Sequence, residues 1–252
     1  MAVMVILGAA SDIARATAVA LGRKGWDLHL AGRDTAALPK IAADIVLRTG
    51  RKVAWSRFEA FDVPSHQAFW ESVAPETEGV LCAIGILGNQ REAERDWTAA
   101  QALLQANFTG LVPILSLAAN TFEERGQGLI IGISSVAGDR GRAANYLYGG
   151  AKAGFTAFLS GLRNRLAAKG VHVITVKPGF VATSMTENMK LPPKLTATPE
   201  QVANDIVAAI GKKRNIVYTP WFWRWIMWLI VHIPENVFKK LWNKGGACLA
   251  GH

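Results

Sequence analysis

Residues 3–21, VMVILGAASDIARATAVAL, decide how the rest of the chain is read. Val3 to Leu7 form a strand-length apolar run with no polar alternation, the pattern of a strand buried on both faces. Gly8 ends that run, and an alanine-rich helix is expected over residues 13–21. A strand that turns at glycine into a helix leaves free N–H groups and the positive end of the helix dipole at the turn, a setting that suits a pyrophosphate. Gly8, Ser11, Asp12 and Ile13 are therefore the candidate phosphate-loop residues, with Ala14 small enough for close packing. Asp12 stands where a dinucleotide fingerprint usually has glycine, so its carboxylate must turn away from the anion or cap the helix.

Outward from this turn, apolar runs and helical periodicity alternate. Further strands are expected at residues 27–31, 53–58, 80–84, 129–133, 171–176 and 216–218. Helices are expected over 35–47, 65–73, 97–121 (bent at Pro113), 145–168 and 199–210. Strands separated by helices of this length imply right-handed βαβ units and a parallel sheet covered on both faces. The expected architecture is α/β, a single Rossmann-type doubly wound domain over residues 1–218. Residues 219–252 form a Trp-rich, basic, apolar helical extension of the same domain.

Half of the 252 residues are hydrophobic and 19% are charged, which excludes a disordered chain. The two cysteines, Cys82 and Cys248, form no framework or CxxC pattern, and a reducing, cytoplasmic setting fits them. The N-terminus lacks the basic region and cleavage site of a signal peptide, and no stretch is read as the run of roughly 18 to 20 apolar residues that crosses a bilayer. Of the net charge of +9, six come from the segment starting at Lys212, with seven basic residues and the single acid Glu235. This is a basic tail and not a nucleic-acid surface. No metal site is expected.

At the end of the second strand, Gly32 occupies the position where an acid would hold the ribose hydroxyls of NAD, and Arg33 follows. A guanidinium there can pair with a 2′-phosphate, which favours NADP(H). Further on, Ser135 closes a strand, Tyr148 comes 13 residues later and Lys152 four after that. The last spacing puts phenol and ammonium on one helical face. A nearby cation favours the phenolate and is expected to lower the tyrosine pKa, making Tyr148 an acid or base for a carbonyl/alcohol pair. Tyr146 has no lysine at the same spacing. Ser135 can hydrogen-bond the substrate oxygen.

Ser135, Tyr148-Gly-Gly-Ala-Lys152, Pro178-Gly179 with Thr183, and Asn107 in QANFTG together resemble the short-chain dehydrogenase/reductase pattern over residues 1 to about 218. The resemblance implies that Asn107 holds a relay water, Ser135 orients the substrate, Tyr148 is the acid/base, and Lys152 binds the nicotinamide ribose. It also implies that Pro178, Gly179, Val181 and Thr183 line the nicotinamide side, that Asp62 and Val63 meet the adenine, and that Ala83 and Gly85 contact the cofactor. Cys82-Ala83-Ile84-Gly85 departs from the family's usual Asn-Asn-Ala-Gly.

Residues 183–198 occupy the place of the family's substrate-covering loop. Five of the nine tryptophans lie between 221 and 242. As a helix, the 13 residues from Trp221 to Ile233 would span about 20 Å, too short for a bilayer core of about 30 Å. Tryptophan with lysine and arginine is a membrane-interface composition, so residues 220–245 are expected either to touch a membrane peripherally, at its inner face, or to pack a homo-oligomer. Leu87-Gly88, the segment 135–145 and His232-Ile-Pro234…Phe238-Lys-Lys resemble decaprenylphosphoryl-2-keto-erythro-pentose reductases. Those enzymes reduce a keto-sugar on a polyprenyl phosphate carrier in cell-envelope biosynthesis. The alternatives left open are a reductase of a soluble or acyl ketone whose tail serves oligomer packing, and a non-catalytic dinucleotide-binding interaction protein.

Overall fold

The structure, a computed structural model, describes residues 2–245, with side chains to Lys240. Cys248 and the side chain of Trp242 lie outside the described residues. Seven parallel strands form one sheet: β1 (Val3–Leu7), β2 (Asp27–Gly32), β3 (Val53–Arg57), β4 (Thr77–Cys82), β5 (Gly128–Ile133), β6 (Val171–Pro178) and, after a two-stranded ribbon of β7 (Phe180–Val181) and β8 (Thr196–Ala197), β9 (Ile216–Thr219). The spatial order is β3-β2-β1-β4-β5-β6-β9. Met4, Val5, Ile6 and Leu7 are fully buried, as a central strand with both faces covered requires.

Helices α1 (Asp12–Gly22), α2 (Leu38–Thr49), α3 (His66–Val73), the short α4 (Gln90–Ala93), α5 (Trp97–Leu104), α6 (Val112–Arg125), α7 (Tyr146–Leu166) and α8 (Pro199–Gly211) complete the wound domain. Ala18, Ile45 and Ile206 of α1, α2 and α8 fill one side of the sheet; Trp70, Phe122, Phe155 and Leu159 of α3, α6 and α7 fill the other. The strand order reverses between β1 and β4, so the carboxyl ends of β1, β4, β5 and β6 flank a crevice suited to a ligand.

Four expectations need correction. The second helix starts at Leu38, because Asp34 Oδ1 accepts the N–H groups of Ala36 and Ala37 (3.0 and 2.9 Å) and holds residues 34–37 in a turn. The fourth strand runs over Thr77–Cys82, and residues from Ala83 onward leave the sheet to reach the crevice. The path from Trp97 to Arg125 is long and apolar enough to cross a membrane by length and composition, contrary to the sequence reading, yet half of its most apolar window is buried in the domain. Pro113 does not bend a continuous helix. It sits in the first turn of α6, where a missing N–H costs nothing, while Gln105–Thr109 forms a π-turn between α5 and α6.

The tail folds back as α9 (Trp223–His232) and α10 (Glu235–Gly245). Trp223 and Met227 of α9 are buried against Val136, whereas Trp221, Trp225, Trp228 and Leu229 are exposed.

Candidate active site

The crevice holds a cavity of about 210 Å³, with Ser11, Asp12 and Ile13 at one end. Gly8 has φ +81°, and a Cβ there would lie 2.8 Å from Ile84 Cγ1, so the turn out of β1 requires glycine. Ser11 caps α1, its side chain accepting the Ala14 N–H at 3.2 Å. Asp12 turns away from the phosphate loop. Its Oδ2 accepts the backbone N–H and the hydroxyl of Ser184 at 2.8 and 2.9 Å, which pins the start of the covering loop to α1.

On the same wall, Ser134 and Ser135 follow directly on the end of β5. Ser134 Oγ donates to the Lys152 carbonyl at 3.0 Å, tying the strand end to α7. Ser135 Oγ accepts the Ala137 N–H at 3.1 Å, and its side chain also hydrogen-bonds to Tyr148. Burial raises the Tyr148 pKa above its ordinary value, and the Ser135 bond only partly offsets it. The expected lowering by Lys152 is not met in this geometry: Lys152 Nζ donates to the Ile133 carbonyl at 3.1 Å and stands 5.9 Å from the Tyr148 ring centroid. Tyr148 is thus a protonated phenol, ready to give a proton. Burial pushes the Lys152 ammonium down to about 8, with Cys82 opposing.

The π-turn carries Asn107 inward. Its Nδ2 donates to the Ile86 and Leu103 carbonyls at 2.8 and 2.9 Å, and its Oδ1 is buried with no hydrogen-bond partner among the described residues. A Cβ on Gly85 would lie 2.6 Å from that Oδ1 and 3.0 Å from Lys152 Nζ, so both polar atoms converge on bare backbone.

One cavity therefore brings together Ser11, Asp12, Ile13, Ala83, Gly85, Asn107, Ser135, Tyr148, Lys152, Pro178, Gly179, Val181 and Thr183. Gly8, Arg33, Asp62 and Val63 are not on its wall. Arg33 lies at the exposed end of β2, its Nε 4.0 Å from Glu59 Oε2, a pair too exposed and too long to hold it. Asp62 precedes a turn of 3₁₀ helix in the segment after β3, and both Asp62 and Val63 are exposed.

The family model for short chain dehydrogenases matches residues 2–193. The chain belongs to the short-chain dehydrogenase family. An "uncharacterized oxidoreductase in mprA 5′ region" of Streptomyces coelicolor is 36% identical over 94% of this short-chain dehydrogenase and 95% of its own length. A 3-oxoacyl-[acyl-carrier-protein] reductase of Synechocystis is 31% identical over 81% of the chain and 87% of its own. Among solved structures, a short-chain dehydrogenase from Sphingobium yanoikuyae in complex with NADPH superposes with a TM-score of 0.80, covering 93% of this chain and 97% of that one at 21% identity.

Sequence reading missed two features of this short-chain dehydrogenase. Trp223 lines the cavity from the tail, its indole filling the space where a Gly179 Cβ would be, and its Nε1 donates to the Leu195 carbonyl at 3.2 Å. The tail is thus a wall of the site. The segment after Ser135 is its clamp: Arg140 donates to the Ile230 and Ile233 carbonyls at the end of α9 (both 2.6 Å) and pairs with Glu235 at 2.9 Å. Beneath it, Asp139 pairs with Lys177 and accepts the Tyr218 hydroxyl at 2.9 Å.

Proposed function

We propose that this protein is an NADPH-dependent ketone reductase in which Asn107, Ser135, Tyr148 and Lys152 carry the chemistry. The observation behind the reading is their convergence on one cavity with the N-terminus of α1. The residues present fit a nicotinamide dinucleotide: a bare-backbone turn at Gly8, a capped helix N-terminus, and two polar atoms crowding Gly85. The backbone N–H groups of Ser11, Asp12 and Ile13 would hold its phosphates, Pro178, Gly179, Val181 and Thr183 its nicotinamide, Asp62 and Val63 its adenine, and Lys152 its ribose. When bound, such a cofactor supplies a hydride to the carbonyl carbon.

The chain's residues complete the reaction. Ser135 donates a hydrogen bond to the carbonyl oxygen, and Tyr148 gives that oxygen its proton, yielding the alcohol. Lys152 stabilises the phenolate left behind, and Asn107 holds a water through which the proton is replaced. That the Sphingobium structure holds NADPH and that the Synechocystis relative is a reductase support this direction. Arg33 supplies the preference for the 2′-phosphate. Arg33→Ala should raise the Kd for NADPH roughly tenfold or more, as loss of a charge-assisted contact does, with little change for NADH. Fluorescence titration of both cofactors checks this; equal effects on the two would remove Arg33 from the role.

We read the substrate as a ketone on a lipid carrier, a keto-sugar on a polyprenyl phosphate, met at the inner membrane face. Its support is α9, which places Trp223 on the cavity wall while Trp225, Trp228 and Leu229, with Trp221 just before the helix, are exposed beside the exposed Arg224. The chain should sediment with phosphatidylglycerol vesicles at low salt and be only partly released at high salt, since the aromatic part is salt-insensitive. Replacing Trp221, Trp225 and Trp228 with serine should leave it in the supernatant. If those replacements instead split an oligomer on a sizing column, the outer face packs subunits and the acyl or soluble ketone reading gains.

A further inference from the structure

Trp223 is placed to do more than pack the tail. Its indole is 4% exposed and stands edge-to-face against Phe180, with ring centroids 5.4 Å apart. It shares one apolar cluster with Val136 and Met227, and its Nε1 donates to the Leu195 carbonyl at 3.2 Å. These neighbours come from β7, the turn after Ser135, α9 itself and the end of the covering loop. At the C-terminal end of α9, Arg140 holds the Ile230 and Ile233 carbonyls, so the helix that carries the indole is fixed there as well. A Cβ on Gly179 would overlap the indole, and glycine at that position is what admits the tryptophan.

The cavity that Trp223 walls, with Ser135 and Tyr148, has a volume of about 210 Å³, below the roughly 300–1,000 Å³ of ordinary small-molecule pockets. In so small a space one large aromatic ring decides what fits, and a ring packed on several sides does not yield as a flexible side chain would. We propose that Trp223 is a specificity-determining residue: seated in the space that Gly179 leaves bare, its indole limits the size of the group that a ketone can carry into the cavity. The proposal rests on the reductase reading above and adds that the reacting head of the substrate is compact, with any longer chain left outside.

The test uses binding, so it does not depend on turnover. The full-length protein, saturated with NADP⁺, is titrated by calorimetry with 2-butanol and with 1-(2-naphthyl)ethanol, the alcohols of a small and a large ketone. Trp223→Leu should bind the naphthyl alcohol roughly tenfold or more tightly than the wild type, because apolar space for several carbons opens, with 2-butanol little changed. Trp223→Phe, which keeps a smaller aromatic ring, should lie between, and it carries the same comparison if Trp223→Leu does not fold. With NADPH, the ratio of kcat/KM for 2-acetylnaphthalene over 2-butanone should rise by a similar factor. Gly179→Ala gives a readout without any ligand. It should lower the Tm by several degrees in the wild type, where the methyl meets the indole, and much less in Trp223→Leu. A folded variant that gains nothing for the naphthyl alcohol overturns the proposal, as do equal Tm losses from Gly179→Ala on the two backgrounds. Gain of naphthyl binding with no turnover of either ketone by any of the proteins would uphold the size limit and count against the reductase reading alone.

Discussion

Tyr148→Phe should lower the turnover of a competent ketone by about a thousandfold while leaving NADPH affinity unchanged. The substitution removes one hydroxyl from a group that hydrogen-bonds Ser135 and leaves its ring packed beside Lys152. General acid catalysis by a positioned side chain is worth roughly 10² to 10⁴ in rate, and a thousandfold corresponds to about 4 kcal/mol of barrier. Burial holds the phenol protonated in the free site, so the proton lost is one the wild type has ready at neutral pH. Lys152→Ala should differ in kind: in the proposed mechanism the buried ammonium that faces Gly85 and Asn107 serves cofactor and proton together, so both turnover and NADPH affinity should fall. Single-turnover rates beside cofactor titrations separate the two patterns. Near-normal turnover by Tyr148→Phe would end the assignment.

Much of this was legible in the chain because the signals are local. A doubly covered parallel strand is mostly apolar, so β1 and β5 read directly, and the four-residue spacing of Tyr148 and Lys152 places both on one face of α7. The misreadings have local causes too. Asp34 closes a turn that delays α2, and a proline read as a bend turned out to start a helix. What stayed hidden depends on contacts across long sequence separations. Trp223 meets Gly179 and Leu195, Arg142 meets Met227, and Asp12 meets Ser184, 172 residues away. No periodicity announces such contacts. The pKa of Tyr148 departs from the expectation for a related reason: the helical spacing is right, but the Ile133 carbonyl takes the ammonium and burial raises the phenol.

Asp139→Leu should be among the most destabilising single changes in the chain. Asp139 and Lys177 are each about nine-tenths buried, and Tyr218 donates to the second carboxylate oxygen, so three strand ends are joined by one charge. Removing the carboxylate leaves the Lys177 ammonium uncompensated, which costs about 3–5 kcal/mol. For a chain of this size each kcal/mol lowers the Tm by roughly 2–4 °C, so a fall of about 10 °C is expected in a thermal melt. Tyr218→Phe removes only a hydrogen bond to a charged group and should cost about 1.5–3 kcal/mol. Burial first, and then the Asp139 carboxylate, raise the Tyr218 pKa. Its contribution is therefore complete at neutral pH and declines as pH rises beyond the unfolded phenol's value near 10. Replacing both charges, Asp139→Leu with Lys177→Met, should recover most of the lost stability, because an apolar pair of similar volume pays no desolvation. A double variant as unstable as Asp139→Leu alone would show that the cluster acts through packing and not through charge. Activity gives the second readout. Asp139 sits between Ser135 and the Arg140 clamp on α9, and Lys177 precedes Pro178-Gly179, so the recovered double variant should fold well and still reduce ketones poorly.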